Sequence, residues 1–201
     1  MIETERLLLR PFRMDDLDLI KTLYCDAELL RYTPFDTMSP AQAEMHLVRI
    51  VSDWKQDPLQ SLEFAMIRKA YAVEGSLEEK IGRCHILINP ETDTGMIGWF
   101  LRREYQGQHY ARESGEAMIH YCFTELGLHR VNAVCNPENL ASRIALEHCG
   151  LRQEAWFRQK CRYTKNGISF WMDELEYAAL ASEYPYSDAA CMNERKMASI
   201  V

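Results

Sequence analysis

The chain has 201 residues, of which 47% are hydrophobic, and carries a formal net charge of −7 at pH 7. This length and apolar content suffice for one hydrophobic core, and no Pro/Gly/Ser-rich linker divides the chain, so we expect a single domain. The acidic balance argues against a general nucleic-acid-binding protein and is compatible with a cationic substrate, such as an amine or a basic peptide.

The N-terminal segment and the cysteines indicate where the protein works. The run "MIETERLLLRPFRMDD" has charges scattered among its apolar residues, and no window approaches 18 uncharged apolar residues. The sequence therefore predicts neither a signal peptide nor a membrane span. The seven cysteines show no C-x-x-C pair, which favours reduced thiols over disulfides or a zinc site. We expect a cytoplasmic protein that binds no metal.

The first half of the chain predicts a strand, two helices and three further strands. Residues 6–12 form an apolar run that ends near Pro11, and an acidic first turn then opens a helix. A second helix begins after Ser39, because Ser39 and Gln42 match a capping box with Pro40 at the first helical position. Three apolar segments separated by turn-forming residues predict consecutive antiparallel strands, at 61–68, 80–88 and 95–102.

The second half predicts a helix, a strand, a helix and a final hairpin. A helical apolar face runs from Ala111 to Leu126 and stops at Gly127 before a short strand over 130–136. The next helix, from about residue 139 to residue 149, ends at Gly150 with Leu151 beyond it, an arrangement typical of a Schellman cap. Two long strands then meet at Asn166-Gly167, the dipeptide that best fits a two-residue type I′ turn.

This order of elements predicts the fold class. A central mixed, mostly antiparallel sheet flanked by helices is the natural α+β architecture for it. We assign residues 1–184 to this domain. Residues 185–201 have no clear period and form either a disordered tail or an oligomer contact.

The segment "RREYQGQHYAR" (102–112) enters the third helix and is the first candidate site. The first N–H groups of a helix have no intrahelical partner and carry the positive end of its dipole. Three arginines and one glutamate make this segment locally cationic. A phosphate or pyrophosphate group is therefore the predicted ligand. The alternative is a solvated helix entry whose arginines are ordinary surface charges.

A second pattern, "NPENLASRIALEHCG", follows one helix and one strand later. Gln106 and Ala111 fit the ends of the acetyl-CoA loop Q/R-x-x-G-x-G/A, and Asn139 precedes Gly150-Leu151 by eleven residues. Together they resemble the GCN5-related N-acetyltransferase superfamily, specifically its ribosomal-protein N-acetyltransferase-like branch. Stretches similar to that branch occur in its order over about residues 3–180: "ETERLLLRPF", "IGWFLR", "ELGLHRV", "NPENLAS" and "DELEYAAL". A general phosphate-binding module of another fold does not explain this order.

The resemblance implies a binding site for acetyl-CoA as cosubstrate. Backbone amides of the loop would hold the pyrophosphate; the residues are Gln106, Gly107, Gln108, His109, Tyr110 and Ala111. A splayed strand would bind the pantetheine arm and polarise the thioester through main-chain groups of Trp99, Phe100 and Leu101. Asn139 would hydrogen-bond the same arm, although a plain helix N-cap explains that residue equally well.

His109 departs from the family pattern, because it stands where the loop has its central glycine. A left-handed backbone at this residue would cost about 1–2 kcal/mol. Each charge-assisted amide–phosphate hydrogen bond contributes roughly 1.5–3 kcal/mol, so several of them outweigh the strain. The imidazole either donates to a phosphate oxygen or points to solvent.

The resemblance also implies direct attack of a neutral amine on the thioester in a ternary complex. In many relatives a tyrosine at this point of the helix acts as the general acid, but here the position is occupied by Leu146. Ser142, which resembles a serine of the ribosomal-protein branch, is therefore our hypothesis for the group that protonates or hydrogen-bonds the sulfur. A plain serine in the first turn of a helix is the alternative. Glu63 is the candidate base, with His85 and Glu104 as rivals; an outward strand glutamate with a water chain is the simpler explanation.

The acceptor remains open from sequence. Tyr32 and Phe35 would line its cleft if the family layout holds. A protein N-terminal amine and a small-molecule amine are both compatible. A non-catalytic CoA-binding or interaction protein of the same fold is the alternative from another class. The exposed edge of the terminal hairpin would suit a homodimer.

Overall fold

The computed structural model describes residues 1–54, 60–69, 78–165 and 167–184. Within this part of the chain, eight strands form one sheet in the order β1-β2-β3-β4-β5-β6-β8-β7. The strands are β1 (Ile2–Glu3), β2 (Leu7–Pro11), β3 (Ser61–Arg68), β4 (Glu79–Asn89), β5 (Thr94–Leu101), β6 (Arg130–Cys135), β7 (Arg152–Lys165) and β8 (Ile168–Leu180). All neighbouring pairs are antiparallel except β5 and β6. The predicted α+β class with a mixed, mostly antiparallel sheet is confirmed.

Four helices cover the two faces of the sheet: α1 (Leu17–Tyr24), α2 (Pro40–Asp53), α3 (Tyr110–Thr124) and α4 (Leu140–His148). The predicted tail 185–201 lies outside the described residues. No helix of the described part is both long and apolar enough to cross a membrane.

The core has two halves because side chains alternate across the strands. Along β3, Phe64 and Met66 belong to the cluster that includes residues of α3, whereas Ala65 and Ile67 belong to the cluster that includes residues of α1 and α2. This explains why six consecutive residues of β3 are buried. A central strand covered on both faces reads as a continuous apolar run.

The predicted helix ends are confirmed in two places and wrong in one. Ser39 and Gln42 form the capping box of α2. After α4, Leu151 N–H donates to the Leu146 carbonyl and Gly150 N–H donates to the Glu147 carbonyl, which is a Schellman motif. By contrast, α3 ends at Thr124 rather than at Gly127, which lies in the following turn with φ 63°.

The sheet opens between β5 and β6. Their parallel pairing covers only Thr94↔Arg130 to Met96↔Asn132, although β5 continues to Leu101 and β6 to Cys135. The two strands therefore diverge after Met96. This opening is the structural origin of the site described below.

The β7–β8 hairpin extends beyond the rest of the sheet. Lys165 pairs with Ile168 across the predicted two-residue turn; its type depends on Asn166, which lies outside the described residues. Lys165 Nζ donates to the Leu30 carbonyl at 2.7 Å. The hairpin is thereby tied to the segment between α1 and α2.

Candidate active site

A cavity of about 780 Å³ begins where β5 leaves β6. One end reaches the entry of α3, and the other lies between the α1–α2 segment and the β7–β8 hairpin. Of the predicted site residues, the structure brings eleven together around it: Tyr32, Phe35, Trp99, Phe100, Leu101, Gln106, Gly107, His109, Ala111, Asn139 and Ser142. Gln108, Tyr110 and Glu63 do not line it.

The free edge of β5 presents main-chain groups to the cavity. Arg102 N–H donates to the Ile81 carbonyl at 2.9 Å, and the Phe100 carbonyl lies against Gly82 on β4. Main-chain groups of alternate residues point to opposite edges of an antiparallel strand. Those of Phe100 therefore point to β4, and those of Ile97, Trp99 and Leu101 point to the opening left by β6.

The loop before α3 is shaped by two left-handed residues. Gly107 has φ 73°, and His109, the N-cap of α3, has φ 65° and ψ 11°. His109 thus has the left-handed backbone whose cost was weighed from the sequence. The first helical hydrogen bond runs from Glu113 N–H to the His109 carbonyl at 3.0 Å. The preceding N–H groups of α3 have no intrahelical acceptor, so this helix end can bind an anion.

Glu113 holds the loop from behind, a role that sequence reasoning missed. Its carboxylate accepts from Thr4 Oγ1 (2.5 Å), Arg6 N–H (2.8 Å) and Arg6 Nε (2.6 Å). Arg6 Nη1 also donates to the Gln108 carbonyl at 3.1 Å. Burial alone would raise the pKa of Glu113, but the hydrogen bonds from Thr4 and Arg6 lower it. No local pattern reveals this contact, because it joins residues more than a hundred positions apart.

The three arginines near the loop are partnered by carboxylates. Arg102 lies 3.1 Å from Glu104, Arg103 lies 2.6 Å from Asp26, and Arg112 lies 2.8 Å from Glu116. The cationic character expected from the local sequence is therefore largely offset. Main-chain N–H groups remain the chief attraction for an anion at this end of the cavity.

Asn139 and Ser142 sit at the start of α4. Asn139 Oδ1 accepts from Ser142 N–H at 3.2 Å, so the N-cap role proposed as the alternative for Asn139 is present. Ser142 is half-buried and borders the cavity. Leu146, one turn further on, is buried in the same wall and supplies no proton.

The far wall of the cavity comes from two separate parts of the chain. Tyr32 and Phe35 lie on the α1–α2 segment, as expected for the acceptor side. Opposite them, the hairpin contributes residues that sequence reasoning did not single out: Lys160, Tyr163, Met172, Asp173 and Glu174. The pattern of a long strand marks the two faces of a sheet but not what each face meets.

Glu63 does not line the cavity. Its side chain is buried, 4% exposed, and its Oε2 is 2.5 Å from Arg83 Nη2. That ion-pair distance lacks hydrogen-bond geometry, and Glu63 Oε2 has no hydrogen-bond partner among the described residues. Burial raises the pKa of the Glu63 carboxyl; the charge of Arg49 lowers it and the charge of Asp53 adds to the rise. Of the rival bases, His85 borders the cavity and Glu104 does not.

The open sheet has a helix end that can bind an anion at one side of the cavity and a wall of aromatic and polar side chains at the other, an arrangement that suits a group-transfer enzyme. The sequence model of the acetyltransferase (GNAT) domain matches residues 6–152. The chain therefore belongs to the GNAT family of acetyltransferases.

Similar proteins agree with this membership. The chain is 29% identical over 185 residues to the uncharacterized N-acetyltransferase YnaD of Bacillus subtilis (strain 168), covering 91% of this chain and 98% of that protein. It is 31% identical over 182 residues to the uncharacterized N-acetyltransferase p20 of Bacillus licheniformis, covering 87% and 97%.

Solved structures share the fold. A GNAT-family acetyltransferase from Bacillus anthracis superposes with a TM-score of 0.75 at 26% identity, over 90% of this chain and 99% of that one. Spermidine N-acetyltransferase from Vibrio cholerae, in complex with CoA and spermine, gives 0.73 at 22% identity over 90% and 99%. Ribosomal-protein-S5-alanine acetyltransferase from Vibrio fischeri gives 0.73 at 21% identity over 90% and 97%.

Proposed function

We propose that this enzyme transfers an acetyl group from acetyl-CoA to a primary amine by direct attack in a ternary complex. One observation carries the proposal: the free edge of β5 lies in a single cavity that joins the entry of α3 to the wall formed by the α1–α2 segment and the hairpin. Both substrates can therefore meet at β5. Spermidine N-acetyltransferase from Vibrio cholerae, which shares the fold, forms a complex with CoA and spermine, and this supports a site for CoA and an amine on the fold.

The residues of the loop suit the CoA pyrophosphate. Its oxygens would accept from main-chain N–H groups between Gly107 and Arg112, at the positive end of the α3 dipole. Gln106 Nε2 donates to the Leu101 carbonyl at 3.1 Å, which fastens the loop to the end of β5. A Cβ at Gly107 would meet no atom within 4 Å, so the loop is open on the side where a ligand would lie.

The free edge of β5 suits the pantetheine arm. Within the predicted set, Trp99 and Leu101 turn their main-chain groups to the opening, and Ile97 joins them. Phe100 contributes its side chain instead, because its main chain faces β4. Asn139 would offer its Nδ2 to the same arm while its Oδ1 caps α4.

Bound acetyl-CoA supplies an activated thioester, and the chain supplies orientation and hydrogen bonds. A main-chain N–H on the free edge of β5 would stabilise the charge that develops on the thioester oxygen. Ser142 would donate a hydrogen bond to the departing sulfur, since Leu146 cannot. A water chain would remove the proton of the amine, because Glu63 lies outside the cavity wall.

The acceptor is a primary amine, either at a protein N-terminus or on a small molecule. β7 is the last strand of the sheet and its outer edge is exposed, so a homodimer that forms through this edge stays a prediction. Trp156, on this strand, is 60% exposed.

Release of the CoA thiol in the presence of a panel of amines tests the proposal. Turnover with any amine supports it. Tight binding of acetyl-CoA without turnover across peptides, polyamines and amino sugars would favour the non-catalytic CoA-binding protein instead.

Two glycines offer a matched pair for the cosubstrate site. Gly107 and Gly127 both have positive φ and open space around a future Cβ, but only Gly107 borders the cavity. Alanine at either position should cost about 1–2 kcal/mol of stability. Only Gly107→Ala should also weaken acetyl-CoA binding in calorimetry; equal weakening by both variants would refute the assignment of the loop.

A further inference from the structure

Beside the cavity lies a buried ion pair that the mechanism above does not use. Glu63 on β3 and Arg83 on β4 are 4% and 5% exposed. Buried ion pairs contribute little to stability, because the cost of desolvating the charges offsets their attraction. The Arg83 nitrogen that approaches Glu63, Nη2, also lies 2.8 Å from His85 Nδ1. The pair is thus connected to a side chain that borders the cavity.

This contact fixes the proton on the imidazole of His85. A guanidinium has only donors, so Nδ1 must accept and the neutral ring carries its proton on Nε2. Protonation of Nδ1 would place two donors against each other beside a permanent positive charge. Burial, together with the charge of Arg83, lowers the pKa of His85 to about 3. The Nε2–H of His85 is therefore available as a hydrogen-bond donor at the cavity, and the low pKa makes His85 a poor base.

The ring lies at the point where β5 begins to separate from β6. His85 is directly opposite Gly98 in the β4–β5 pairing. A Cβ at Gly98 would be 2.5 Å from His85 Cε1 and 2.9 Å from Nε2, so the ring packs on the bare backbone of β5. Gly98 immediately precedes Trp99, on the edge proposed to hold the pantetheine arm. Among the described residues, no hydrogen bond from His85 Nε2 is found.

We propose that Glu63, Arg83 and His85 form a fixed hydrogen-bond donor that selects amines with a hydrogen-bond-accepting oxygen close to the amine. Amino alcohols, amino ethers, amino sugars and amino-acid amides carry such an oxygen. His85 Nε2–H contacts that oxygen, and Glu63 and Arg83 act as positioning residues. An alkyl amine places a methylene group there and leaves the donor unpaired. The inference rests on the proposed function, because it concerns the acceptor of that reaction.

The first experiment compares two amines that differ by one atom. In 2-methoxyethylamine an ether oxygen replaces a methylene group of butylamine, so the two match in size. Rates of CoA release are measured at equal concentrations of neutral amine, which removes the difference in the extent of their protonation. Wild type should show kcat/KM about fivefold higher for the ether, the worth of one neutral hydrogen bond. In His85→Leu the ratio should fall to about one.

The second experiment determines the tautomer of His85 and does not require enzyme turnover. Nitrogen-15 NMR of the histidine-labelled protein should show His85 protonated at Nε2 and unchanged between pH 5 and pH 9. The double variant Glu63→Leu/Arg83→Met replaces the ion pair as a unit by apolar side chains, a change that buried pairs tolerate. In that variant His85 should sample both tautomers, and the preference for the ether should shrink.

The outcomes separate the two proposals. Equal turnover of both amines by wild type, or a preference that persists in His85→Leu, overturns the fixed donor while acetyl transfer stands. A proton on Nδ1, or titration of His85 between pH 5 and pH 9, overturns it too. Acetyl-CoA binding with no turnover of any amine overturns acetyl transfer, and the inference falls with it.

Discussion

Gly115, in the middle of α3, packs against Cys149 and the cavity residue Trp99. A Cβ at this residue would lie 2.5 Å from Cys149 Sγ and 3.2 Å from the Trp99 ring. Gly115→Ala gains about 1 kcal/mol of helix propensity but overpacks the core, which costs about 1–3 kcal/mol. We therefore expect a net destabilisation of about 0–2 kcal/mol. The new methyl group should also displace the Trp99 ring and, with it, β5. Because β5 is proposed to hold the pantetheine arm, acetyl-CoA binding should weaken as well.

A double-mutant cycle isolates the clash. Cys149→Ala removes the nearest atom, so Gly115→Ala should become neutral or stabilising in that background. Urea denaturation gives the four free energies of unfolding, and calorimetry gives the affinity for acetyl-CoA. Effects of the two substitutions that simply add would refute the contact between Gly115 and Cys149. Full acetyl-CoA affinity in the single variant would refute the link from α3 to Trp99.

Three further predictions concern single residues. Ser142→Ala should lower kcat by about ten- to a hundredfold with little change in the KM for acetyl-CoA, because the Ser142 hydroxyl is proposed to assist the leaving thiolate. Steady-state CoA release measures both constants, and an unchanged kcat would contradict that role. His109→Gly should change stability by less than about 1 kcal/mol, because relief of left-handed strain is offset by the entropy of glycine. Thermal unfolding measures the stability, and calorimetry measures the affinity for acetyl-CoA. Binding of acetyl-CoA by the variant but not by wild type would contradict our account of the loop. Asp16→Asn should cost about 1.5–3 kcal/mol, because it removes the buried charged partner of Arg10 and leaves that guanidinium with only the partly exposed Glu78. Burial alone would raise the pKa of Asp16, but hydrogen bonds from Arg10, Arg13 N–H and Lys80 lower it. The carboxylate therefore stabilises the fold fully above its unfolded pKa, about 3.9, and this contribution is lost as pH falls through the lower folded value. Urea denaturation should show the gap between wild type and Asp16→Asn closing in that range, and a gap that is unchanged there would contradict this origin.

Local signals were sufficient for most elements of the fold. The capping box at Ser39 places the start of α2, and the Gly150-Leu151 pair places the end of α4. Both work because the groups that satisfy a helix end lie within a few residues of it. Gly127 misled the prediction, because a left-handed glycine also serves a turn that follows a helix already ended at Thr124.

The site was predictable only where it follows one continuous segment. The loop from Gln106 to Ala111 and the start of α4 carry short motifs, and most of their residues border the cavity. The cavity wall formed by the β7–β8 hairpin and the contacts of Glu113 depend on which distant segments of the chain meet. The local periodicity of a single sequence does not indicate such contacts. Glu63 illustrates the same limit, because its strand pattern fixes a face of the sheet but not its distance from the cavity.

The left-handed His109 is explained by contacts on both sides of the loop. Behind it, Arg6 binds the Gln108 carbonyl and the Glu113 carboxylate together. Glu113 in turn donates its N–H to the His109 carbonyl. These bonds define the path of the chain before and after His109, so the residue can adopt a positive φ without being glycine. The same bonds leave the remaining N–H groups of the α3 entry for a ligand. The backbone at His109 thus has a conformation that favours glycine, although the residue carries a side chain.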